Sequence, residues 1–113
     1  MSKITAQELA LWKSSDMLFT LLDVRRDKAR QDDGTEIRDA QWFDPARWLD
    51  WKDDISPNRL AVVYCAHGHE ISQGLAATLC AMGIDARHLV GGIATWKAAG
   101  FETSLLNDRG ESS

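Results

Sequence analysis

Residues 60–92, LAVVYCAHGHEISQGLAATLCAMGIDARHLVGG, change pattern several times, and those changes decide the fold. Leu60 to Tyr64 is a short, continuous apolar run, the signature of a strand buried on both faces of a parallel sheet. From Ser72 onward, Leu75, Ala76, Leu79, Ala81 and Met82 recur at helical spacing, and Gly83 supplies a stop. Ala86 to Val90 reads as the next short strand. Gly91-Gly92 then turns the chain into a last helix over Ile93 to Ala99, ended by Gly100. Strand, helix, strand, helix in this rhythm predicts an α/β domain whose parallel sheet is covered by helices on both faces.

Upstream the signals are weaker. Thr5-Ala6-Gln7-Glu8 has the form of a capping box and opens a helix over residues 5–14. Met17 to Val24 (MLFTLLDV) is a compact apolar run and reads as a second buried strand. Residues 25–39 (RRDKARQDDGTEIRD) are densely charged and read as a solvated loop or a marginal helix, with most charges doing nothing specific. Ala40 to Phe43 suits a short strand. Asp44 as N-cap and Pro45 at the first helical position start a helix carrying Trp48, Leu49 and Trp51, which ends near Asp54. The polar tail after about residue 103 is expected to be flexible. No repeat or linker interrupts the chain, and residues 1–113 are read as one domain.

The 113 residues include 44% hydrophobic ones, enough for a core without disulfide or metal staples. Thirteen Lys plus Arg against seventeen Asp plus Glu leave a net charge of −4, which argues against broad binding to nucleic acid or an acidic membrane. The N-terminus lacks the apolar core of a signal peptide, and no stretch approaches the roughly 20 apolar residues of a spanning helix. The expected compartment is the cytoplasm. There Cys65 and Cys80 are separate thiols, with Cys80 a small buried hydrophobe on its helix.

Ligands of an open parallel α/β sheet bind outside the carboxyl ends of its strands. Two segments lie at such ends: Asp23-Val24-Arg25, and the octet CAHGHEIS at residues 65–72. A cysteine entering a helix there meets unpaired backbone N–H groups and the positive end of the macrodipole, and both favour a thiolate over a thiol. Gly68 at mid-loop suits a positive φ that would turn amides inward, and Ser72 can cap the helix or donate to the cradle. The expected site is therefore Cys65 as nucleophile in an anion-binding loop of Ala66, His67, Gly68, His69, Glu70, Ile71 and Ser72. His67 and His69 are either plain polar loop residues or substrate contacts. Asp23 reads as a structural acceptor for loop amides, and Arg25 as either a salt-bridge partner or a recognition group. A zinc site on C-x-H-x-H is disfavoured, because its ligands crowd one tight loop and only His88 lies elsewhere. Trp96 is placed to support the loop, and Trp42, Trp48 and Trp51 to edge a pocket or a partner surface.

The segment VVYCAHGHEISQGLAATLCAMGIDARHLVGGIATWKAAG (62–100) resembles the active-site half of a single-domain rhodanese, or thiosulfate sulfurtransferase. The shared features are a strand ending in Tyr-Cys, a C-x-x-G loop, then a helix, a strand, L-x-G-G and W-x-x-x-G. LLDVR (21–25) is similar to the family's early strand-end motif, and EIRDAQWF (36–43) matches its middle segment loosely. The resemblance spans roughly residues 4–102 and departs most over 26–55. It implies a parallel five-stranded sheet flanked by helices, and a Cys65 that takes a sulfane sulfur and hands it to cyanide or a thiol. It implies no cofactor. The expected partners are small sulfur donors such as thiosulfate or a persulfide, or a partner protein thiol.

One departure bears on substrate. Many relatives carry arginine or a small hydroxylic residue at the fifth loop position, where this chain has Glu70. Phosphatases and arsenate reductases of related design need C-x5-R to clamp a tetrahedral dianion. The sixth residue after Cys65 is Ile71, so that clamp is missing. A carboxylate at the mouth also weakens the case for thiosulfate. The alternative function is a rhodanese-like module that carries sulfur or senses oxidation with little turnover.

Overall fold

A computed structural model describes residues 3–68 and 70–106. The strands are β1 (Lys3–Ile4), β2 (Phe19–Asp23), β3 (Thr35–Ile37), β4 (Gln41–Trp42), β5 (Leu60–Tyr64), β6 (Ala86–Leu89) and β7 (Thr103–Leu105). The helices are α1 (Ala6–Lys13), α2 (Asp27–Asp33), α3 (Trp48–Trp51), α4 (Glu70–Ala81) and α5 (Gly92–Ala98). One five-stranded sheet runs β1-β6-β5-β2-β4, every pairing parallel, and β3 and β7 form a separate antiparallel ribbon.

The register sets Leu21 against Val62 and Leu22 against Val63. Because side chains alternate along a strand, the pairs feed opposite faces. Leu21, Val62, Tyr64 and Leu89 join Leu9 of α1 and Ile93 and Trp96 of α5 in one core. Leu22, Val63 and Cys65 join Trp51 of α3 and Ala76 and Leu79 of α4 in the other. Tyr64 and Cys65, consecutive in sequence, thus serve different cores. The sheet order also makes a switch point: from β2 the chain leaves toward β4, and from β5 it leaves toward β6. The crevice between the carboxyl ends of β2 and β5 is where such a sheet binds ligands.

The capping box before α1 is formed in both directions, with Glu8 N donating to Thr5 Oγ1 at 3.1 Å and Thr5 N to Glu8 Oε1 at 2.9 Å. Four expectations need correction. The fifth strand of the sheet is β1, a pairing too short to leave a periodic signal. Residues 25–39 take the second of their two expected forms in part, a short helix α2, but continue into β3, and two of their charged residues, Arg25 and Glu36, are buried. Asp44 caps as expected, its carboxylate accepting from Ala46 N. Beyond it, however, two 3-10 turns flank the single α-helical turn of α3, with Trp51 Nε1 bonded to the Asp44 carbonyl. The start of the tail expected to be flexible after about residue 103 pairs with β3 instead, through Thr103–Leu105, and residues 107–113 lie outside the described residues. Phe101 packs on Trp96, and Trp96 Nε1 donates to the Glu102 carbonyl at 2.9 Å, so the indole steers the chain into β7.

Candidate active site

Cys65 follows β5 directly, is 6% exposed, and lies in a pocket of about 410 Å³ at the switch point. Its Sγ is 3.3 Å from Ser72 Oγ, within hydrogen-bonding reach in either direction. Ser72 sits in the first turn of α4 and is buried, so it is aimed at sulfur and not at solvent. Ala66, His67, Glu70 and Ile71 line the same pocket. His67 and Glu70 are exposed, and Glu70 is the first residue of α4. His69 lies outside the described residues.

The loop is held down from its carbonyl side. Ile93 N donates to the Cys65 carbonyl and Ala94 N to the Ala66 carbonyl, both at 3.0 Å, so the start of α5 clamps the two residues. Gly92 makes this approach possible. A Cβ there would lie 2.4 Å from the Cys65 carbonyl oxygen and 2.7 Å from Ala66 backbone atoms, and its φ of +64° is also one that side chains resist. Gly68 (φ +74°) seats the other end of the loop, where a Cβ would come 2.5 Å from Gly91 N. Its carbonyl accepts from Gln73 Nε2 at 2.8 Å. The Gly-Gly pair is thus part of the cysteine loop's seat as well as a turn.

Below the pocket lies a buried ion network. Arg25, 2% exposed, donates from Nε and Nη2 to the Asp23 carboxylate, from Nη2 to the Thr35 carbonyl and from Nη1 to Asp33. These commitments make Arg25 a salt-bridge partner, and it also lines the Cys65 pocket. Burial works against its charge, but Asp23 holds the guanidinium above its ordinary pKa. Asp23 also accepts from Arg25 N, as expected of an acceptor for loop amides, and from the Tyr64 hydroxyl at 3.1 Å. Tyr64 Oη in turn accepts from Ile37 N, tying β5 to β3. Burial, and then the Asp23 charge, push the Tyr64 phenol well above its usual range. Asp33 is partly buried, which raises its pKa, yet hydrogen bonds from Lys97, Thr35 and Arg25 bring it down to about 2. Lys97 belongs to α5, so the network links β2, α2 and the helix that clamps the loop.

Sequence reasoning missed Arg26. This exposed N-cap residue of α2 lines the pocket beside Cys65. The same positional rule that singled out Asp23 and Arg25 applied to it, but it was counted with the charged stretch. A second lobe of about 540 Å³ runs past Ala66 and His67 to Asp32, Asp33 and Lys97. Trp42 donates to the Arg25 carbonyl and stacks under Arg30, buttressing the network, while Trp48, Trp51 and Phe43 form an aromatic cluster. Cys80 is half-buried on α4, its thiol donating to the Ala86 carbonyl. Among the described residues no group of three His, Cys, Asp or Glu side chains is arranged to hold a metal ion. His88 lies on β6 beside β1, where burial and then Lys3 lower its pKa.

The architecture defines a parallel α/β domain with a cysteine at the strand-to-helix turn of its switch point. The chain belongs to the rhodanese-like domain family, whose sequence model matches residues 5–99. It is 34% identical over 99 residues to a probable adenylyltransferase/sulfurtransferase, MoeZ, of Mycobacterium tuberculosis, a match covering 84% of this chain. The match spans only 24% of that relative's length. A rhodanese-related protein from Thermoplasma volcanium superposes with a TM-score of 0.81 at 22% identity, covering 93% of this chain and 99% of the other. A rhodanese-like domain protein from Staphylococcus aureus gives 0.76 at 27% identity, covering 85% and 91%. Among the described residues no helix is long and apolar enough to cross a membrane.

Proposed function

We propose that the chain is a sulfurtransferase in which Cys65 carries a sulfane sulfur from a donor, thiosulfate or an organic persulfide, to a thiol or cyanide. The observation that carries this reading is Cys65 Sγ lining an open pocket at the start of the 12-residue α4, with Ser72 Oγ at 3.3 Å. A thiolate there has the helix N-terminus and a hydroxyl donor to stabilise it, and a persulfide anion would use the same partners. With thiosulfate, the thiolate attacks the outer sulfur. The Cys65 S–S bond forms, the bond to the sulfonate sulfur breaks, and sulfite leaves with the electron pair. With cyanide as acceptor, carbon attacks the terminal sulfur, thiocyanate forms and the Cys65 thiolate returns. The cycle needs no cofactor, and small donors and acceptors fit the pocket. Cys65 and Cys80 as separate thiols support a reducing cytoplasm as the compartment.

The test is cyanide-dependent thiocyanate formation. Cys65→Ala abolishes it and Cys80→Ala leaves most of it. Equal turnover in the Cys65 variant would refute the assignment. Glu70 supports a second reading, since a carboxylate at the mouth disfavours a dianionic donor. In that reading the domain holds sulfur on Cys65, or senses oxidation, with little turnover. A Cys65 persulfide that cyanide fails to discharge would favour it.

A further inference from the structure

Three charged side chains line the pocket around Cys65: Arg25, buried in its ion pairs with Asp23 and Asp33, and the exposed Arg26 and Glu70. Arg26, at the start of α2, and Glu70, at the start of α4, line it beyond the carboxyl ends of the neighbouring strands β2 and β5 and are both exposed. No ion pair joins Arg26 to another described residue, and the neighbouring Arg25 is already committed to Asp23 and Asp33. The rim is therefore close to neutral. A dianion such as thiosulfate gains little there, because attraction to Arg26 is offset by repulsion from Glu70. Ala29, Ala66 and Ile71 give the lining an apolar part, beside His67 and Cys65. The volume of about 410 Å³ suits a small organic molecule.

Resting on the sulfur-transfer reading above, we propose that the donor is a zwitterionic amino-acid persulfide. Its carboxylate pairs with Arg26, its ammonium with Glu70, and its methylene lies on the apolar part of the lining. In the step, the Cys65 thiolate attacks the outer sulfur of R–S–SH. The Cys65 S–S bond forms, the donor's S–S bond breaks, the proton stays on the transferred sulfur, and the donor departs as its thiolate. A cysteine persulfide inside a protein chain lacks both free charges and would lose both contacts.

The experiment measures how fast Cys65 gains one sulfur atom, by quenched-flow intact mass spectrometry. The donors are cysteine persulfide, its N-acetyl derivative, its methyl ester, and thiosulfate. Each exposed ion pair is worth about a threefold to fivefold rate difference. The wild-type chain should load faster from the zwitterion than from either blocked form by that factor. Glu70→Gln should abolish discrimination against the N-acetyl form and raise the thiosulfate rate. Arg26→Gln should abolish discrimination against the ester. Equal wild-type rates from the three organic donors, or unchanged ratios in the variants, would overturn the zwitterion proposal while leaving sulfur transfer standing. Failure of every donor, thiosulfate included, to load Cys65 would overturn both.

Discussion

At Cys65 two interactions do different work. Ser72 is the nearest hydroxyl to sulfur, so Ser72→Ala removes a hydrogen bond that matters most when sulfur is charged. The expected result is alkylation of Cys65 by iodoacetamide slowed about tenfold at neutral pH, the worth of one bond to a charged group. Gly92 acts on position. Gly92→Ala forces a Cβ against the Cys65 and Ala66 carbonyls at a φ that resists one. It should cost about 2–4 kcal/mol in urea unfolding and displace the loop enough to suppress sulfur loading. A variant of unchanged stability would mean that the clamp is not needed. The identity and place of Cys65 were legible, because a cysteine between an apolar run and a helical period has few positions open to it. The Gly-Gly role was not. It depends on Gly92 and the start of α5 meeting Cys65 and Ala66 from far along the chain, and no local pattern records that approach.

The charged stretch 25–39 is where local reading left loop and marginal helix undecided and missed β3, and the elements show why. Its α2 buries no whole residue, so it lacks the apolar stripe that identifies a helix. Its fixed points are ion pairs, Arg30 with Asp23 and Glu36 and Asp33 with Arg25 and with Lys97 of α5, and hydropathy does not register those. The network has a measurable pH signature. The folded pKa of Asp33 lies below its ordinary value of 3.8, at about 2. Its contribution to stability is therefore fully present above about pH 4 and is lost as pH falls toward 2. Asp33→Asn should lower stability at pH 7 by about 1–2 kcal/mol and flatten the acid-side loss between pH 4 and 2. Urea titrations across that range check it. Tyr64→Phe tests the same layer from β5. The Ile37 amide and Asp23 would each lose a buried partner, for a cost of about 1–3 kcal/mol.

Across the whole molecule, the parallel sheet was legible because its central strand β5 reads as an unbroken apolar run, β2 lies in a mostly apolar one, and a helical period separates β5 from β6. The edges were not. β1 is two residues long, and β7 owes its place to β3 and to the Trp96 indole. The site was half legible for the same reason. Its β5–α4 side follows from one continuous stretch, whereas Arg26 reaches the pocket only because β2 and β5 lie side by side in register. That juxtaposition places a cysteine, a hydroxyl and two opposite charges around one opening, and the functional reading rests on the cysteine. The most direct measurement is intact mass of the full chain after exposure to a persulfide donor, with the modified peptide located by digestion. The account predicts a gain of one sulfur atom on Cys65 that cyanide removes, absent in Cys65→Ala and retained in Cys80→Ala. Sulfur carried on Cys80 instead, or a gain that persists in Cys65→Ala, would contradict it.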